Sequence, residues 1–118
     1  MNELTDDFRK YRTRMNEKIL DSGNKVMKRI FSIDTLAYQD GALPGKTKEM
    51  LGLVSSMVLR CDDCVKYHLE KCHDLGVTDE EIVEVFSIAN LVGGTIVIPH
   101  TRRAVEYWDA LGTDKKKK

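Results

Sequence analysis

Residues 46–68 read Lys46-Thr47-Lys48-Glu49-Met50-Leu51-Gly52-Leu53-Val54-Ser55-Ser56-Met57-Val58-Leu59-Arg60-Cys61-Asp62-Asp63-Cys64-Val65-Lys66-Tyr67-His68. From Met50 to Leu59 the stretch is apolar nearly all round, the pattern of a helix central to a packed domain. Beyond Arg60 the character changes. Cys61 opens a further helix, with Asp62 and Asp63 in its first turn, where the helix dipole favours acids. On that helix Cys61, Cys64 and His68 fall within about 60° of one another, on one face.

Working outward, the helical period persists in both directions. Phe8, Tyr11, Met15 and Ile19 step by three or four and predict a first helix from about Leu4 to Asp21, broken by Ser22-Gly23-Asn24. Val26, Met27, Ile30 and Phe31 carry a second into Tyr38, and the loop Gln39-Asp40-Gly41-Ala42-Leu43-Pro44-Gly45 leads to the third, from Lys46 to Leu59. The fourth ends near Leu75, with Gly76 as its C-terminal cap. Thr78-Asp79-Glu80-Glu81 is a capping box for a fifth helix to about Val92, closed by Gly93-Gly94. A sixth runs from Thr95 to Leu111, with Pro99 acceptable only near its start. Nothing alternates with period two. The expected architecture is all-α, a compact bundle of about six helices in a single domain over 1–113, followed by a disordered basic tail at 114–118.

The 118 residues suffice for one buried core, and 42% hydrophobic with 32% charged content is ordinary for a globular chain. A formal net charge of zero gives no global field to attract nucleic acid or an anionic membrane. No apolar run approaches the roughly 20 residues of a membrane span, and the acidic Met1-Asn2-Glu3-Leu4-Thr5-Asp6-Asp7 is unlike a signal peptide. A cytoplasmic location is expected. Three cysteines in a reducing compartment then leave catalysis, metal binding or plain burial.

The Cys-x-x-Cys-x-x-x-His spacing points to redox chemistry. A thiol must lose its proton to attack, and an imidazole one turn away can take it. Cys64 is the better nucleophile, one turn inside the helix where terminal amides stabilise a thiolate and His68 is its i+4 neighbour. Cys61, more exposed at the very start, suits either a resolving or an entry role. The competing readings are two buried cysteines with a surface histidine, or a zinc site with Cys61, Cys64 and His68 as three ligands. No second Cys/His cluster completes a tetrahedral shell, so no metal is expected, and no motif calls for an organic cofactor. Glu49, lone in an apolar run, comes beside His68 if the third and fourth helices fold back through Arg60, and a carboxylate there raises the basicity of the imidazole. Otherwise Glu49 is a dipole-favouring first-turn acid. Cys72 shares the face but lies about 12 Å from Cys64 along the axis, beyond disulfide reach, and reads as packing. His73 points a quarter-turn away to the surface, and His100 reads as a helix-start residue. Gly93 and Gly94 allow a close approach of another helix.

The chain resembles the alkyl hydroperoxidase D/carboxymuconolactone decarboxylase superfamily. The resemblance rests on Lys46-Thr47-Lys48-Glu49-Met50, on Cys61-x-x-Cys64-x-x-x-His68, on Leu75-Gly76-Val77-Thr78-Asp79-Glu80-Glu81-Ile82 and on Val92-Gly93-Gly94. It implies an all-helical fold that forms trimers or hexamers. In the peroxidase branch it implies attack on peroxide by Cys64, resolution by Cys61, and a proton relay through His68 and Glu49, with an external dithiol as reductant. Asp63 stands where the best-studied peroxidases carry a further histidine. The expected function is thiol-dependent reduction of hydroperoxides or exchange of disulfides. The alternatives are a decarboxylase-like enzyme using His68 and Glu49 for acid–base chemistry, and a non-catalytic redox-sensing oligomer.

Overall fold

The first four N–H groups and last four carbonyls of every helix need partners outside the helix. In the computed structural model, which describes residues 2–116, the caps that supply them set the chain path. Asn2 opens α1 (Glu3–Asp21) and Asn24 opens α2 (Lys25–Ala37), each accepting a backbone N–H through its side chain. Lys48 reaches back to close α2, its Nζ lying 2.9 Å from the Ala37 carbonyl and 2.7 Å from that of Gln39. Asp40 Oδ1 accepts the Gly45 N–H at 2.6 Å at the start of α3 (Gly45–Val58). Thr78 and Glu81 form the reciprocal capping box of α5 (Asp79–Gly93). A 3₁₀ turn, Thr95–Val97, leads into α6 (Ile98–Lys116), where Pro99 sits in the first turn and removes no helical hydrogen bond.

Two turns of the same kind frame α4 (Asp62–Asp74). At the end of α3 the Arg60 N–H bonds the Met57 carbonyl and the Cys61 N–H bonds that of Ser56, both at 3.0 Å, with Arg60 at φ 61°. At the end of α4 the Gly76 N–H bonds the His73 carbonyl and the Val77 N–H that of Cys72, with Gly76 at φ 82°. Both are Schellman motifs, which need a left-handed residue just past the helix. Glycine fills one and arginine the other.

The described residues form six α-helices and one 3₁₀ turn, with no strand. The all-α expectation holds, and the helix limits agree with the capping signals to within a residue or two. The exception is α6, whose backbone continues past Leu111 to Lys116. The rest of the basic tail expected at 114–118 lies outside the described residues.

α3, α4, α5 and α6 supply most of a shared apolar core. Leu53 and Met57 come from α3, Leu69 and Cys72 from α4, Ile82 and Phe86 from α5, and Tyr107 and Trp108 from α6, with Phe8 of α1 against Tyr107. α3 is only half as central as its composition suggests. Leu53 and Met57 are buried, whereas Leu51 and Leu59 on its opposite face are exposed. α2 buries no residue at all, and Val26, Ile30, Ile33 and Leu36 stand in solvent.

Candidate functional site: a disulfide-capable pair beside a buried Glu–His pair

The Schellman turn at Arg60 reverses the chain so that Cys61 becomes the N-cap of α4, in extended conformation, and its sulfur accepts the Cys64 N–H at 3.2 Å. Cys61 and Cys64 are paired at disulfide distance, with Cα atoms 5.3 Å apart. Cys64 falls on the third residue of the helix, in the first turn whose N–H groups favour an anion. The relative exposure of the two is the reverse of the expectation: Cys64 is exposed and Cys61 half-buried. An N-cap side chain folds back over its own helix end, whereas the third residue points away.

Cys72 is the free cysteine among the described residues and is fully buried. Burial, with the Glu49 charge second, pushes its thiol up to about 12. It is packing, not a partner for Cys64.

α3 and α4 lie side by side and bring Glu49 to His68. His68 Nδ1 and Glu49 Oε1 are 2.8 Å apart, and both side chains are buried. Neither is a surface group. The tautomer that donates from Nδ1 to the carboxylate leaves Nε2 to accept a proton. That nitrogen faces the Tyr38 hydroxyl at 3.5 Å, and the Tyr38 ring leans on the imidazole with centroids 5.2 Å apart. Tyr67 closes the other side edge-on at 5.4 Å. Burial, followed by the Glu49 charge, raises the Tyr38 phenol above its ordinary value. Neither ring nitrogen of His68 bonds a sulfur in this disulfide form. The contacts are to Glu49 and Tyr38.

Gly52 makes room for this arrangement. A Cβ at that position would lie 2.7 Å from both His68 Cε1 and the Tyr38 hydroxyl oxygen. An open groove of about 480 Å³ runs along α3 here, lined by Ala37, Tyr38, Lys48, Leu51, Gly52, Ser55, Ser56 and Leu59. One end reaches Ser56, whose carbonyl holds the Cys61 N–H.

The first turn of α4 is also tied to α6. Asp62 Oδ1 lies 2.7 Å from His100 Nδ1, and Asp62 Oδ2 lies 2.8 Å from Arg103 Nε. Burial works to raise the Asp62 carboxyl, but the hydrogen bonds from His100 and Arg103 outweigh it and hold the group below its ordinary value. His100 is thus more than a helix-start residue. His73 lies at the other end of α4, edge-on to Trp108 at 5.3 Å, and is half-buried rather than on the surface. Gly93 packs where a Cβ would strike Val97 and approach Val58 of α3, which is the close approach expected of it. Among the described residues no group of three or more His, Cys, Asp or Glu side chains is arranged to hold a metal ion, and no helix is long and apolar enough to cross a membrane.

Tyr38, Gly52, Asp62 and Arg103 were not singled out in the sequence. Gly52 did carry a signal. A glycine inside a helix costs about 1 kcal/mol relative to alanine, so its presence amid apolar residues marks a place where space is needed.

The sequence profile of the carboxymuconolactone decarboxylase family matches residues 24–107, a span that contains the cysteine pair, Glu49, His68 and His100. The crystal structure of TM1620 from Thermotoga maritima is similar at 49% identity and a TM-score of 0.92, covering 95% of this chain and 98% of that one. A second structure of that protein describes it as a carboxymuconolactone decarboxylase family protein with a possible part in antioxidative response. The apo structure of lpg0406, a family protein from Legionella pneumophila, is 25% identical with a TM-score of 0.85, over 92% of this chain and 97% of that one. An uncharacterised protein of Cupriavidus necator is 35% identical over 64% of this chain, a match spanning 66% of its own length, just under two thirds.

Proposed function

The chain belongs to the carboxymuconolactone decarboxylase family, and on that premise we propose that it is a thiol-dependent oxidoreductase that reduces hydroperoxides through Cys61 and Cys64. The observation that carries this reading is the pair itself, at disulfide distance across the exposed first turn of a helix. The Cys64 thiolate attacks the distal oxygen of a hydroperoxide. The O–O bond breaks, the alcohol leaves with a proton, and Cys64 becomes a sulfenic acid. The Cys61 sulfur then attacks Cys64 and expels water, giving the disulfide. An external dithiol restores both thiols and leaves as a disulfide. His68, held by Glu49, takes the thiol proton and returns it to the leaving oxygen.

The groove along α3 supports access for a small, partly apolar peroxide, with Leu51 and Leu59 on its walls and Tyr38 and Ser56 inside. The exposed Leu36, Leu51, Leu59, Leu91 and Val92 support assembly into a trimer or hexamer of identical chains, since so much apolar surface is not left in water on a monomer. A reducing cytoplasmic setting would provide the dithiol.

A second reading is favoured by one observation. His68 contacts Glu49 and Tyr38 rather than sulfur, which suits acid–base chemistry on a carbon acid with the cysteines incidental. The test is consumption of hydrogen peroxide and of cumene hydroperoxide in the presence of dithiothreitol. The expected result is turnover by the wild type and only background rates for Cys61→Ser/Cys64→Ser. Full turnover by that double variant would overturn the thiol reading.

A further inference from the structure

The first turn of α4 carries two carboxylates, Asp62 and Asp63, within two residues of Cys64. Negative charge there opposes formation of a thiolate, and it competes for the same helix-end amides. The two acids are placed differently. Asp63 is exposed, and water screens it. Asp62 is turned against α6, and each of its oxygens has its own partner, His100 at 2.7 Å and Arg103 at 2.8 Å. Arg103 Nη2 also lies 3.2 Å from the same His100 nitrogen, so the three side chains form one compact cluster.

We propose that His100 and Arg103 are positioning residues for the redox pair: by holding Asp62 from α6 they cancel its charge beside Cys64 and fix the helix end that Cys61 caps. The proposal rests on the thiol reading above. It accounts for a peroxidase-type pair with two acids between its cysteines. The clamp also explains a difference in role between two histidines. His68 is paired with Glu49 and faces the Tyr38 hydroxyl, while His100 acts on the sulfurs only through Asp62.

Few other charged groups bear on this end of α4. Asp63 is on the same turn, and Arg60 lies in the turn from α3. Lys66 points away, with its ammonium over the Phe8 and Tyr107 rings at 5.4 and 5.8 Å. From α3, Glu49 is committed to His68. Across the helix interface, His100 and Arg103 are the groups that meet Asp62.

The experiment is the pH dependence of Cys64 alkylation by iodoacetamide in the reduced protein, read by mass spectrometry in a Cys61→Ser background so that one thiol reports. Removing the clamp with His100→Gln/Arg103→Gln leaves Asp62 ionised and uncancelled. The midpoint should rise by about one unit and alkylation at neutral pH should slow up to about tenfold. Adding Asp62→Asn to that variant removes the uncancelled charge and should return the midpoint to within about a third of a unit of the starting value. A clamp that is merely structural would not be rescued this way. Should the double variant not fold, Arg103→Gln with and without Asp62→Asn makes the same comparison at a half-exposed position, with a shift of about half the size. An unmoved midpoint, or no recovery with Asp62→Asn, overturns the proposal while leaving the thiol reading intact. A Cys64 that reacts only after denaturation in the unmodified protein overturns both.

Discussion

Cys64 and Cys72 lie two turns apart on one helix, Cys64 exposed at its N-terminal end and Cys72 sealed in the core. Beside Cys64 are the first-turn backbone N–H groups of α4, a bonded partner in Cys61 and an acid held by His100 and Arg103 of α6. Around Cys72 are apolar side chains and the Glu49 charge, and its thiol is pushed up to about 12. The difference teaches that the surroundings of a thiol in this fold follow its position along α4. The N-terminal end offers first-turn amides to a sulfur anion, and burial in the core disfavours one. His68 sits between the two regimes, buried, with Nδ1 on Glu49 and Nε2 toward the Tyr38 hydroxyl.

The most severe way to break this contrast is to label both thiols in the reduced protein. With a value of about 12, Cys72 is ionised at neutral pH to only about one part in 10⁵. Cys64 should alkylate at least about a thousandfold faster than Cys72, which should react only on unfolding. Peptide mapping gives the answer. Comparable labelling of the two in the folded state would mean that α4 opens readily or that its N-terminal end gives no help to sulfur.

The next largest effect belongs to the buried pair between them. Glu49→Gln and His68→Gln should each slow peroxide-dependent oxidation of Cys64 by about a hundredfold, in the range of a lost general base. The double variant should fall no further than either alone, because the residues act as one unit. Full additivity would show that the relay is two independent groups. An unchanged rate in Glu49→Gln would confine Glu49 to a structural role.

Gly52→Ala sharpens the same point by geometry rather than charge. The new methyl would stand 2.7 Å from His68 Cε1 and from the Tyr38 hydroxyl oxygen. Overpacking of this kind costs about 1–3 kcal/mol, partly offset by about 1 kcal/mol of helix propensity. The melting temperature should therefore drop by only a few degrees, while Cys64 oxidation slows about tenfold because the imidazole is displaced. A rate loss no greater than the stability loss explains would remove Gly52 from the site.

Much of this molecule was legible in its sequence. The helix ends could be read because they are local: the Ser22-Gly23-Asn24 break, the Thr78–Glu81 box and Gly76 act within a few residues of themselves. The Cys61, Cys64 and His68 face is one helix's own period. Glu49 could be placed beside His68 because one tight turn at Arg60 connects their helices. Tyr38 and the Asp62–His100–Arg103 cluster were not legible, since they depend on how α2 and α6 pack on α4, and Asp62 and His100 are 38 residues apart. The exposure order of Cys61 and Cys64 was misread for a smaller reason. An N-cap residue is held by its own helix end, and helical periodicity does not apply to it.

Alkaline pH separates the two ends of α4 by stability. Cys72 titrates near 8.5 in an unfolded chain and near 12 when folded, so the folded state binds the extra proton between those values. Stability should therefore be fully present below about pH 8.5 and fall above it by about 1.4 kcal/mol per unit. Cys72→Ser should flatten that slope between pH 8.5 and 9.5 in urea denaturation. The raised Tyr38 phenol adds a loss of the same sign only above pH 10. An unaltered slope in the serine variant would assign the alkaline loss elsewhere and weaken the claim that the core suppresses this thiol.

The smallest effects come from the two left-handed residues that bracket α4. Gly76 has φ 82° and open space around it, so Gly76→Ala introduces no clash and only the cost of a Cβ in that conformation, about 1–2 kcal/mol. Loss of unfolded-state freedom returns about 0.4–1 kcal/mol, leaving a destabilisation near 1 kcal/mol. Arg60 has φ 61° and already bears that strain at the threshold of the cysteine pair. Arg60→Gly relieves it and loosens the unfolded chain, and the two should nearly cancel, for a net change within about 0.5 kcal/mol. The asymmetry matters because the Arg60 side chain is exposed and carries no hydrogen bond or ion pair among the described residues. Its cost is then that of keeping a stiff, non-glycine turn where Cys61 must cap α4. Urea denaturation of both variants measures the pair. Arg60→Gly losing more than about 1 kcal/mol would mean that the arginine side chain itself secures the turn, and the comparison between the two ends would rest on a contact rather than on backbone conformation.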